Sequence, residues 1–67
     1  MDDQVLVHLE LAASVLEDFR GELLADAERN PSEAARLHAL VSDLGGLMPL
    51  SAVMARLLQR LDALRVR

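Results

Sequence analysis

The chain has 67 residues, seven arginines and no lysine against eleven carboxylates, a net charge of -4, no cysteine and one aromatic residue, Phe19. This composition excludes a disulfide scaffold, a thiol enzyme, a lysine Schiff base and an aromatic platform for nucleic acid. A chain of about 60 residues buries only roughly 60% of its unfolded surface, so association with another chain is the expected way to complete the core.

Fifteen leucines and ten alanines set the class. Both are strong helix formers, and β-branched and aromatic strand formers are scarce. The expectation is an all-α fold, a single helical domain over residues 1–67, built either as a small three-helix bundle or as a kinked helical hairpin and completed by dimerisation. The acidic opening, Met1-Asp2-Asp3-Gln4, is unlike the basic start of a signal peptide. No apolar run approaches the roughly 18 to 20 residues of a membrane span. A cytoplasmic location with no membrane association follows as an expectation.

The first helix is expected over about 3–28, with Asp2 or Asp3 as its cap and acids near its start suiting the macrodipole. Its core stripe reads Val5, Leu9, Ala12, Leu16, Phe19, Leu23, in alternating steps of four and three. Gly21 interrupts the pattern at a cost of about 1 kcal/mol relative to alanine. Asn30-Pro31-Ser32-Glu33 is the clearest punctuation. Asn30 fits an N-cap, Pro31 the first helical position, and Glu33 the acid of a capping box. The second helix, 31–44, carries Ala34, Leu37, Val41 and Leu44 on one face. Gly45-Gly46 reads as its stop, because glycine takes the left-handed cap conformation freely. Pro49 then opens a third helix, 49–64, with the stripe Leu50, Met54, Leu57, Leu61, Leu64 flanked by Val53 and Leu58. Arg65 and Arg67 suit its C-terminal dipole. A rival parse makes 31–64 one helix kinked near Gly45-Gly46.

The most informative feature is a second seam on the first helix. Val7, Leu11 and Val15 recur every four residues on the side otherwise held by Glu10, Ser14, Asp18 and Glu22, and Leu6 and Ala13 widen the opposite flank. A helix apolar on several sides is normally covered on several sides. Each such side chain contributes roughly 1.5–3 kcal/mol when fully buried, a large share of a small domain's stability. Either these residues pack inside the chain, against the Leu47–Leu50 connection, or they meet another molecule. The partner is then a second copy, paired antiparallel into a larger bundle, or a helix of a different protein.

Charge is divided as well. Residues 1–33 hold nine acids and two arginines, whereas residues 34–67 hold two acids and five arginines. The halves can attract one another within one chain or between copies, or simply solvate helix faces. Catalytic chemistry finds little support. His8 and His38 lack a metal-ligating neighbour at i+4, and no Glu-x-x-His unit occurs. The serines have no nucleophile-elbow context, and Gly45-Gly46 is not followed by phosphate-loop residues. No enzyme, metal, cofactor or small-molecule substrate is expected. Arg56 and Arg60 share one face at i, i+4, but the acidic chain supplies no base-reading side chain beside them, which argues against nucleic acid.

In size, acidity and helical architecture the chain resembles small bacterial interaction proteins. Examples are the co-chaperones of type III secretion needle subunits and the helical docking domains of modular synthases. The likeness is architectural and carries no functional positions across. The expected function is a non-catalytic protein–protein interaction module, a small adaptor, co-chaperone or docking protein, whose partner-binding residues are Leu6, Val7, Leu11, Val15, Arg56 and Arg60. The alternative is a nucleic-acid-associated regulator, such as an antitoxin or accessory repressor, using the arginines of the third helix.

Overall fold

The computed structural model describes residues 3–66, which form four helices, α1 (Asp3–Asp18), α2 (Arg20–Arg29), α3 (Pro31–Leu47) and α4 (Ala52–Arg65), with no strand among them. The fold is all-α, a small helical bundle. Of the N-terminal cap candidates, Asp2 lies outside the described residues, as does Arg67 at the other end; Asp3 sits in the first turn of α1.

The expected first helix is broken once, at Phe19. Its φ of -102° and ψ of 11° depart from the helical values near -63° and -42°. The hydrogen-bond ladder nevertheless spans the break, with Phe19 N–H donating to Val15 O at 3.1 Å and Leu23 N–H to Phe19 O at 2.9 Å. Two causes coincide. Gly21 weakens helix propensity just beyond the break, and the Arg20 guanidinium donates to the Glu17 carbonyl, inserting a side chain into the ladder. The molecule is 38 Å long and about 20 Å across. A straight 27-residue rod would measure about 40 Å at 1.5 Å per residue, so α1 and α2 together account for the long dimension.

Asn30 serves two helices. Its N–H donates to Asp26 O at 3.0 Å, closing α2. Its extended backbone then turns the chain, and its side chain accepts from Ser32 N–H at 3.1 Å as the N-cap of α3, with Pro31 in the first turn. The capping box is not completed. The Glu33 carboxylate accepts instead from Arg36 at 2.9 Å, because an arginine one turn ahead offers a charge-assisted bond.

Gly45-Gly46 does not stop α3. Neither glycine takes a positive φ, and the helix continues to Leu47. The stop comes from Pro49. The residue before a proline is pushed towards extended backbone, and Met48 has φ -153° and ψ 156° while its N–H still donates to Leu44 O. Gly45 has a different use: a Cβ there would lie 3.0 Å from Leu50 Cδ1, so its bare backbone admits the connection to the helix surface. Nor does Pro49 open α4. Ser51 caps it, accepting from Met54 N–H at 3.2 Å, and the helix begins at Ala52. The non-helical connection 48–51 rules out one kinked helix over 31–64.

The core belongs to α2, α3 and α4. Ala27, Ala34, Val41, Leu44, Met54, Leu57, Leu61 and Leu64 are buried, and Leu37 and Leu50 pack against them. The stripes read from sequence for the second and third helices therefore describe the real core. The stripe of the first does not. α1 buries no residue; Leu9, Leu16 and Leu23 are half-buried, whereas Val5, Ala12 and Phe19 are exposed. Its inner face runs instead through Leu9, Ala13, Leu16 and Glu17. A helix apolar on three sides leaves its phase undetermined, and the contact with α4 selects it. Glu17 fixes that contact, its carboxylate accepting from the Ser51 hydroxyl.

Candidate protein-interaction surface

At about 100° per residue, Val7, Leu11 and Val15 stand on the side of α1 opposite its inner face. The fold leaves them uncovered: Val7 is 60% exposed, Leu11 61% and Val15 47%, and Leu6, on the opposite flank, is 39% exposed. Packing against the Leu47–Leu50 connection is therefore overturned. Phe19 continues the row at the same spacing and is 55% exposed, so Val7, Leu11, Val15 and Phe19 form one i, i+4 ridge. Six of the ten large apolar side chains exposed among the described residues lie between Val5 and Phe19. Four of them, Val7, Leu11, Val15 and Phe19, share the ridge, while Val5 and Leu6 stand on the other side of α1, and a contiguous apolar row is what distinguishes an interaction patch from ordinary apolar surface. Sequence reasoning placed Phe19 in the core because its spacing fits the inner stripe as well as the ridge.

One edge of the ridge is acidic, the row Glu10, Ser14, Asp18, Glu22. Among the described residues, the structure shows no ion-pair partner for Asp3, Glu10 or Asp18. The two halves of opposite charge meet within the chain at two arginine pairs, the local Arg36–Glu33 at 2.9 Å and, between separate helices, Arg60 with Glu28 at 3.7 Å. The remaining arginine pairs, Arg29–Asp26 and Arg65–Asp62, are local i, i+3 contacts on helix surfaces.

Arg56 and Arg60 lie elsewhere, on a groove of about 530 Å³ between α2 and α4. Leu24, Val53, Leu57 and Ala63 give the groove an apolar lining. Arg20 from α2 and Arg56 and Arg60 from α4 rim it, and Gly21 leaves its α2 wall open, with nothing within 4 Å of where a Cβ would stand. Arg56 has no ion-pair partner among the described residues. Of the six candidate residues the structure thus groups Val7, Leu11 and Val15 on the outer face of α1 and Arg56 and Arg60 on the groove, and leaves Leu6 apart on the other flank of α1. Arg20, Gly21 and Leu24 were missed from sequence, since the groove arises only when α2 lies beside α4.

The histidines occupy unrelated places. His8 is exposed on α1, and His38 of α3 stands 3.5 Å from the Asp62 carboxylate of α4. Among the described residues no group of three or more His, Cys, Asp or Glu side chains converges to hold a metal, and no helix is long and apolar enough to cross a membrane. No protein-family model matches the chain, and comparison with curated proteins and with solved structures finds no match.

Proposed function

We propose that this protein is a non-catalytic protein–protein interaction module, a small adaptor or docking protein that acts through the outer ridge of α1. The carrying observation is the uncovered row Val7, Leu11, Val15, Phe19 on a helix whose opposite face already serves the core. Surface area supports the same reading. A compact protein of this mass exposes about 4,200 Å², and this chain exposes 4676 Å². Its radius of gyration, 11.9 Å, also exceeds the roughly 10.9 Å expected for a compact chain of this length.

Leu11→Asp tests the reading. The variant should keep its helicity and thermal midpoint by circular dichroism and lose association, whether with itself or with another protein. Unchanged association together with a collapsed melt would assign Leu11 to the fold and overturn it. A nucleic-acid-associated regulator is the second reading, favoured by the convergence of Arg20, Arg56 and Arg60 on one groove. It requires steeply salt-dependent binding to DNA or RNA, lost on Arg56→Glu combined with Arg60→Glu.

A further inference from the structure

We infer that the α1 ridge is covered by a second copy of this chain, and that each ridge seats in the other copy's groove between α2 and α4. The inference rests on the reading of the ridge as an interaction surface, and it adds the occupant and its site.

Charge argues first. α1 carries Asp3, Glu10, Glu17 and Asp18 and no arginine, with His8 its one imidazole. Two such helices laid along one another bring carboxylate rows together, and like charges so placed are destabilising. The α2–α4 groove offers the opposite sign, with Arg20 and Arg56 free of ion pairs among the described residues. Its apolar lining receives the ridge while the arginines face the acidic row beside it. Length argues second. Val7 to Phe19 spans about 18 Å of helix, and Val53 to Ala63 about 15 Å. Closure argues third. Placing one ridge in one groove leaves a ridge and a groove unused and propagates a chain of molecules, whereas reciprocal exchange about a two-fold axis uses both and ends at two. The two α1–α2 rods then lie antiparallel, each α1 over the other copy's α2, and the axis passes near Phe19.

Because the chain has no cysteine, single substitutions report the geometry directly. Light scattering on the full chain should give twice the 7.3 kDa chain mass, and Arg56→Glu should raise the dissociation constant about tenfold or more with helicity unchanged. Under oxidation Phe19→Cys should self-crosslink, being near the axis. Leu11→Cys should crosslink to Gln59→Cys when the two variants are mixed, and not to itself. Self-crosslinking of Leu11→Cys in preference to the mixed product means that the ridges pair with each other, which overturns the groove and leaves the ridge as the interface. A monomer at millimolar concentration overturns the second copy. A dimer unaffected by Leu11→Asp overturns this inference and the function proposed above together. Self-association indifferent to Arg56→Glu, with binding to a short DNA duplex abolished by it, would assign the groove to nucleic acid instead.

Discussion

Gly45 and Gly46 are neighbours in one helix, yet the same substitution should affect them differently. At Gly46 the space beyond the backbone is open and φ is negative, so Gly46→Ala should stabilise by about 0.5–1 kcal/mol. In a domain this small about 1 kcal/mol moves the thermal midpoint by roughly 4–8 °C, which circular dichroism resolves. At Gly45 the added Cβ meets Leu50 at 3.0 Å. Gly45→Ala should therefore fall short of Gly46→Ala, because the Leu50 side chain must move to admit it. Ser51 is the other informative single residue, donating to Glu17 and accepting from Met54 N–H. Ser51→Ala should cost about 1–2 kcal/mol in urea melts. Ser51→Asp keeps the cap but sets a second carboxylate against Glu17, so it should recover only part of that loss.

Helices differ in how far sequence determines them. Asn30-Pro31 was legible because each residue answers one local requirement, a side-chain acceptor and a ring that tolerates the first turn. Gly45-Gly46 was misleading because a glycine that ends a helix and a glycine that admits a neighbour look alike until Leu50 is in place. The real terminator, Pro49 acting on Met48, was present but assigned to the wrong helix. Phase was legible for α3 and α4, whose apolar residues occupy one face, and not for α1, whose apolar residues occupy three. The surplus of apolar residues on α1 was nonetheless visible, and so was the row Val7, Leu11, Val15; the groove was not, being made jointly by α2 and α4. Core and ridge should separate experimentally. Leu61, fully buried in α4, should lose about 2–5 kcal/mol on truncation to alanine, enough to unfold so small a domain. Leu11→Ala, on the exposed ridge, should leave the melt of the dilute chain almost unchanged.

For the whole molecule, charge and shape pull in the same direction. The acidic first half is not neutralised by the basic second half inside one chain, since among the described residues only Arg36–Glu33 and Arg60–Glu28 pair an arginine of one with a carboxylate of the other. The elongated form exposes more surface than a compact chain of equal mass. Stability of the free chain should therefore rest on α2, α3 and α4, and the melting midpoint should climb with protein concentration as mass action favours the associated form. A midpoint independent of concentration would show that the chain stands alone.

The tether between Glu17 and Ser51 holds the last turn of α1, and every residue from Asp3 to His8 is exposed. Helical segments without tertiary cover fray when shorter than about 12–15 residues. Backbone amide protons near Val7 and His8 should accordingly swap with deuterium quickly, and those towards Leu16 slowly, a gradient within one continuous helix. Capture of α1 would flatten that gradient, so the winding of its opening turns becomes an intrinsic gauge of occupancy, readable at single residues by nuclear magnetic resonance without any attached label.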